Sequence, residues 1–431
     1  MRQYISDEGS GDKVSFSFQE DQFGDIELLG AFMQMRDLRQ NWWEGIGPGG
    51  TITGRVIISD GLVYFGACDS VFYCLDMDGK LVWKFKAKGI LLEGPAISDD
   101  AVFFGSSDHN FYALDKKTGH EKWRFQAKGE IMDMPLYHDN RVYFGCMDNM
   151  MHCLDATTGR EIWNFATRDL PVSVPLIVGN RIYCGYGDRN FYCLDMDGKV
   201  IWKFSAQNTV AAWPAAYHKG RLFFGSWDCN LYCLDMDGRL VWKMPAAHPV
   251  MAPMIHDNKV YVGSWDNNVY CADADTGRMI WKTDINGIAS GVVSVGDGKI
   301  FAGSSDNNIY ALDEKTGEVV WKYQTNGFVA QNNVAGKRLY CGCWDCNLYC
   351  LGFGGSLLWK FKTSLGTPSK ITPTESALAK TAEIIWQADD DNKDKKRDDE
   401  IAIADYGEFS GTYIDTTKTD YLGMKKKGYV K

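Results

Sequence analysis

No run of apolar residues in this chain comes near the roughly 18 that a membrane-crossing helix needs, so no membrane insertion is expected. The first residues, MRQYISDEGSGDKVSFSF, have no basic stretch followed by an apolar one, so no secretory signal is expected either. Basic excess is missing as well. A formal net charge of −10 gives no patch for a nonspecific grip on nucleic acid or anionic lipid. Nucleophile elbow, P-loop, dinucleotide fingerprint and HExxH motifs are all absent. The seven histidines are scattered without ligand spacing, which reads most of them as surface turn residues. These absences remove the common routes to catalysis, to resident metals and to cofactors, and none of the three is expected.

A clock is present instead. Trp83, Trp123, Trp163, Trp202, Trp242, Trp281, Trp321 and Trp359 follow one another at intervals of 40, 40, 39, 40, 39, 40 and 38 residues. Before each, in constant phase, stands Gly-x-x-Asp: Gly66/Asp69, Gly105/Asp108, Gly145/Asp148, Gly185/Asp188, Gly225/Asp228, Gly263/Asp266, Gly303/Asp306 and Gly342/Asp345. A period near 40 with short alternating strands and Gly/Asp turns marks a propeller of four-stranded blades. The fold class read from this pattern is all-β, an eight-bladed β-propeller of antiparallel blades with short extensions at both ends. Residues 50–366 form the array, because one blade cannot bury both of its faces alone.

The second repeat, Gly94 to Phe125, shows the plan: a short inner strand, an Asp-Asp turn, a strand from Ala101 to Gly105, the turn Ser107-Asp108-His109-Asn110, a third strand from Phe111 to Leu114, and an outer strand carrying Trp123. The Asp of each Gly-x-x-Asp can bond its own backbone two residues on, and its neighbour tolerates positive φ. Eight copies therefore read as eight turns and not as eight ligands. The second acid, at Asp76, Asp115, Asp155, Asp195, Asp235, Asp273 and Asp313, takes the same part before a turn glycine. Of 13 cysteines, six (Cys74, Cys153, Cys193, Cys233, Cys271, Cys350) fill one repeat position that Ala113 and Ala311 fill elsewhere, so the site wants a small apolar side chain. Equivalent positions on separate blades lie too far apart for disulfides, and this many reduced thiols point to the cytoplasm.

ALDKKTGHEKW (Ala113 to Trp123), CLDATTGREIW (Cys153 to Trp163), CADADTGRMIW (Cys271 to Trp281) and ALDEKTGEVVW (Ala311 to Trp321) resemble the tryptophan-docking repeat of the quinoprotein-like, PQQ-type eight-bladed propellers. The other four blades carry a turn one residue shorter, as in CLDMDGKLVW (Cys74 to Trp83). The resemblance implies that each periodic indole stacks on the adjoining blade and donates its N–H to backbone there. That family includes quinone dehydrogenases, which carry a disulfide of adjacent cysteines over the cofactor, and outer-membrane assembly lipoproteins. This chain has no Cys-Cys dipeptide. It is expected to be a cytosolic member without the quinone-binding residues.

Two candidate surfaces remain. CGCWDC, with Cys341, Cys343 and Cys346, has soft-metal composition, but its residues are explained by the repeat. The residue before each turn Asp varies: Cys68, Ser107, Met147, Gly187, Trp227, Trp265, Ser305 and Trp344. Trp227, Trp265 and Trp344, with Trp213 and Tyr186 nearby in the repeat frame, make an aromatic sector suited to anchoring a protein. Glu93, Asp133, Arg168, Asp169, His248, Gln331 and Asn332 fall at the channel mouth, where a small ligand could bind.

Outside the array, Asp25 to Asn41 has the spacing of a short amphipathic helix ending at Trp42 and Trp43, within an N-terminal extension of residues 1–49. After the array, residues 367–431 comprise a helix-like AKTAEIIWQ, a charged linker (Asp389 to Glu400), and Tyr/Gly arms at Asp405 to Ile414 and Asp420 to Val430 with Lys425 to Lys427. The function expected is a non-catalytic scaffold that binds protein partners through the aromatic rim and the arms. The alternative is small-molecule or carbohydrate binding, with or without chemistry, at the channel mouth.

Overall fold

The computed structural model describes residues 2–6, 13–17, 49–167, 169, 174–210, 214–363 and 384–387. Eight four-stranded antiparallel sheets follow one another along the chain, each built in strict sequence order from inner to outer strand. Blade 1 runs from Ile57 to Lys86, blade 2 from Ala96 to Gln126, blade 3 from Leu136 to Ala166 and blade 4 from Leu176 to Ser205. Blade 5 runs from Ala216 to Pro245, blade 6 from Met254 to Asp284, blade 7 from Ala289 to Gln324 and blade 8 from Val329 to Lys362. The protein is an eight-bladed β-propeller.

The second and third strands are buried on both faces, so they read as continuous apolar runs such as VYFGA and VFYCL. Outer strands alternate, as in Glu121–Gln126. Each outer strand shifts register just before its tryptophan. Such a bulge breaks the free edge as a template for pairing with another chain. This matters because apolar side chains such as Leu81, Val82, Val319 and Val320 are exposed at that point.

The periodic indoles join the blades. Trp83 Nε1 donates to Lys116 O at 3.2 Å, Trp123 to Ala156 O at 3.0 Å, Trp163 to Met196 O at 2.9 Å and Trp202 to Met236 O at 3.0 Å. The series continues with Trp242 to Ala274 O at 3.1 Å, Trp281 to Glu314 O at 3.2 Å and Trp321 to Phe353 O at 2.9 Å. Trp359 donates to Met77 O at 2.9 Å and so closes the ring onto blade 1. Across its own sheet each indole faces the small residue noted in the sequence, as in Cys74 opposite Trp83 and Ala113 opposite Trp123. An aromatic ring of the second strand, such as Tyr64 or Phe103, lies 6.1 or 5.8 Å away.

The glycine of the neighbouring turn completes the socket. Gly79, Gly119, Gly159, Gly198, Gly238, Gly277, Gly317 and Gly355 have φ between +69° and +85°, and an added Cβ would lie 2.5 to 2.9 Å from the docked indole. Glycine is thus required twice, for the turn and for the ring lying on it.

Among the described residues, closure is made between complete blades, without a strand exchanged between the ends. The lead-in to blade 1 bonds to blade 8 through Ile52 N to Cys343 O at 3.2 Å, and Asn333 Nδ2 donates to Val56 O at 2.9 Å. Arg55, buried at the same seam, donates to Asn333 Oδ1 at 3.2 Å.

Residues Arg2–Ser6, Lys13–Ser17 and Ile384–Gln387 form a separate three-stranded antiparallel sheet in a unit of its own. The helix-like reading of AKTAEIIWQ is corrected here, since Ile384–Gln387 is a strand paired with Lys13–Ser17. Ile-Ile-Trp is β-branched and aromatic, and a sheet partner outweighs the helix-forming residues before it. The expected helix at 25–41, Trp42 and Trp43, the charged linker and both Tyr/Gly arms lie outside the described residues.

Candidate interaction surface and channel mouth

Every rim turn is held by its aspartate. In blade 2, Asp108 Oδ1 accepts Asn110 N at 2.9 Å, and its other oxygen accepts the Tyr112 hydroxyl at 2.7 Å. The same Asp to Tyr bond, four residues on, recurs at Asp69/Tyr73, Asp188/Tyr192, Asp228/Tyr232, Asp266/Tyr270, Asp306/Tyr310 and Asp345/Tyr349. The residue after each Asp has positive φ, from Ser70 at +62° to Arg189 at +70°. In four blades the hydroxyl of Ser106, Ser226, Ser264 or Ser304 accepts the N–H of that Asp. The second acids act as expected: Asp115 Oδ1 accepts Lys117 N and Thr118 N at 3.1 and 2.8 Å.

The outer-to-inner connections lie on this same face. Gln207 N and Ala247 N donate to Asp228 and Asp266 at 3.0 Å. The tips are therefore rigid, and what they display is set by one residue each. Trp227 and Trp265, on adjacent blades, are partly exposed and their ring centroids are 6.3 Å apart at 44°. Trp265 Nε1 points at Met251 Sδ, 3.0 Å away. Met251, on the loop entering blade 6, was not singled out in the sequence because it follows no repeat signal.

Two members of the proposed aromatic sector do not belong to it. Tyr186 is fully buried, edge-on to Phe165 and Tyr192. It occupies the position of Ser226 and Ser264, one residue before the tip, where the side chain turns into the core. Trp344 is 8% exposed, with its indole folded edge-on against Phe328 at 4.8 Å. Trp213 lies outside the described residues, as does Arg168.

Of the residues expected at the channel mouth, the structure brings three together. Gln331 Nε2 donates to Glu93 Oε2 at 3.4 Å, and Asp133 lies close enough to act on Glu93 electrostatically. Burial, and then the Asp133 charge, raise the Glu93 carboxyl well above the usual carboxylate range. Burial alone pushes Asp133 up to about 7. Asn332 is buried on the long inner strand of blade 8, Val329–Ala335, and its amide atoms have no hydrogen-bond partner among the described residues. His248 and Asp169 stand apart from this cluster. The carbonyl of His248 accepts the Ser264 hydroxyl at 3.3 Å beside the Trp265 tip, and the Asp169 carboxylate crowds Gly187 in blade 4.

None of the 13 cysteines forms a disulfide among the described residues, and all but Cys229 are buried. Burial pushes the thiols opposite Trp83 and Trp163, Cys74 and Cys153, up to about 12, so they are inert packing groups. Cys341 and Cys343 are likewise raised by burial, and Cys343 Sγ donates to Gly327 O at 3.2 Å. No helix among the described residues is long and apolar enough to cross a membrane.

A repeat-family model described as outer membrane protein assembly factor BamB matches residues 33–134, 129–212, 191–268 and 228–369. The chain belongs to that family. Solved structures share the fold at low identity. A computationally designed protein, Ika8, is 19% identical over 71% of this chain and 98% of its own, with a TM-score of 0.64. BamB from Moraxella catarrhalis is 19% identical over 68% of this chain and 91% of its own, with a TM-score of 0.58. The quinohemoprotein alcohol dehydrogenase ADHIIG from Pseudomonas putida HK5 is 15% identical over 72% of this chain and 71% of its own, with a TM-score of 0.60. The comparison with curated proteins found no match. At these identities the structures speak for the fold, and function has to be argued from this chain's own surfaces.

Proposed function

We propose that this BamB-family propeller is a non-catalytic cytoplasmic scaffold that docks a protein partner on the rim of blades 5 and 6. The observation that carries the reading is the pair Trp227 and Trp265, partly exposed, 6.3 Å apart and fixed on Asp-braced turns. Indoles on rigid supports lose little entropy on binding, which is why tryptophan is enriched at the centres of interfaces. Blades 2 and 7 place Ser107 and Ser305 at the same tip, so the turn itself has no need of tryptophan. The family's description as an assembly factor is in keeping with a role in binding other proteins.

The test uses the serines the protein already carries. Full-length chain and its Trp227→Ser, Trp265→Ser double variant are used to isolate partners from the native source under identical conditions. A stoichiometric partner recovered with the natural chain and lost with the double variant supports the scaffold. An unchanged partner set rules out this rim as the docking point.

A second reading, a small polar or carbohydrate ligand at the channel mouth, is favoured by the convergence of Glu93, Asp133 and Gln331. Mass analysis of ligand released from natively purified protein tests it. Nothing released, or release unchanged by Asp133→Asn, argues against it.

A further inference from the structure

Blade 3 breaks the repeat in two places at once, and both replacements are metal-ligand types. Where seven blades have a tyrosine four residues after the turn Asp, blade 3 has His152. Where four blades have the serine that braces that Asp, blade 3 has Cys146. Both flank Asp148. The Cys146 thiol sulfur, an Asp148 carboxylate oxygen and a His152 ring nitrogen lie within 4.8 Å of one another. His152 Nε2 is 3.2 Å from Asp148 Oδ2. An ion held tetrahedrally by bonds of about 2.0–2.3 Å needs its ligand atoms roughly 3.5 Å apart, so small side-chain rotations suffice.

The other ring nitrogen of His152 is also engaged. Nδ1 is 2.6 Å from Glu161 Oε1, on the outer strand of the same blade. A carboxylate behind the imidazole is the usual support of a metal-bound histidine, fixing its tautomer and its direction. Phe144 stacks on the ring at 5.2 Å and Phe125 flanks it at 5.5 Å, so the plane is set. Cys146 is 2% exposed and His152 4% exposed, which places the site beneath the turn and not on it.

We propose that Cys146, Asp148 and His152 bind one divalent ion of the zinc class, with Glu161 orienting His152 from behind. The donor set decides the class. A thiolate with an imidazole excludes calcium and magnesium, which take oxygen ligands, and suits zinc. Thiolate and carboxylate together balance the charge of the ion, so the ion with its three direct ligands carries no net charge. Three protein ligands leave the fourth position to water. The other His-containing group among the described residues, His256, Asp257 and Glu314, has no thiol and is more exposed. It serves as the internal comparison.

The test needs no knowledge of the partner. Full-length protein freed of metal by dialysis against chelator is titrated with zinc alone, by calorimetry and by competition with a chromophoric chelator. Cobalt is then substituted, and thiolate-to-cobalt charge transfer is read in the near ultraviolet. One zinc per chain and a thiolate band are expected. His152→Tyr and Cys146→Ser each install the residue that other blades use at that position, so both should fold, as checked by circular dichroism. Each is expected to abolish the site and the band. Glu161→Gln should weaken zinc binding about 10–100-fold while keeping the band. No zinc bound by the natural chain overturns the proposal. So does zinc binding that both H152Y and C146S leave unchanged, which would place the ion elsewhere.

Discussion

Trp359 donates its indole N–H to the carbonyl of Met77 at 2.9 Å, across 282 residues of chain. Arg338 donates to the same carbonyl. This bond is the last of eight equivalents, and of the eight it is the one that joins the end of the array to its beginning.

Removing the Trp359 side chain should accordingly open the seam. Trp359→Ala removes a partly buried indole and is expected to cost about 3 kcal/mol, the low end for a large aromatic taken from a core. Trp359→Phe keeps much of the apolar contact and loses the hydrogen bond, so it should cost about 1–2 kcal/mol. Urea unfolding followed by tryptophan fluorescence and by circular dichroism measures both. A loss under 1 kcal/mol for the alanine variant would mean that the lead-in at Ile52 and the Asn333 bonds hold the seam by themselves.

The turn glycines allow the two requirements of the socket to be separated. Gly119 has φ of +73°, and an added Cβ would lie 2.5 Å from Trp83 Cε3. Gly61 has φ of +75° with nothing within 4 Å. Gly61→Ala should cost only the backbone term, roughly 1–2 kcal/mol. Gly119→Ala should cost that and, in addition, the displacement of the indole, for a total of roughly 3–5 kcal/mol. Equal losses in chemical denaturation would show that the indole moves aside freely.

The fold was legible because propeller repeats write the same physics eight times. Trp at one phase, a small residue such as Cys74 facing it and Gly in the next turn are local requirements that survive in single-letter code. The site was less legible for the same reason. Whether a tip residue points out or in depends on a displacement of one position: Trp227 is displayed on the rim, while Tyr186, one place earlier in its own blade, enters the core. Trp344 occupies the tip position and still folds inward, because Phe328 offers it an apolar neighbour. His152 was readable in principle. Aligned by blade it is the one histidine in a column of tyrosines, but scanning for ligand spacing along the chain passes over a set assembled across a turn.

The buried pair Glu93 and Asp133 should make stability depend on pH in the direction opposite to that of a salt-bridged acid. Burial pushes Asp133 up to about 7 from an ordinary value of 3.8. Between those values the native state retains a proton that the unfolded chain has released, so unfolding becomes easier as pH rises. Below about pH 4 both states are protonated and the group contributes nothing. Above about pH 7 the full cost of the buried charge is present, at most about 4 kcal/mol because Asp133 retains some exposure. Asp133→Asn removes that cost and relieves Glu93, whose carboxyl the Asp133 charge also raises. Thermal unfolding of the two proteins should therefore coincide near pH 4 and diverge up to about pH 7, with the asparagine variant the more stable. Parallel curves across that range would mean that the Asp133 carboxyl reaches water or a cation in solution, and that its enclosure by Glu93 and its neighbours does not control its ionisation.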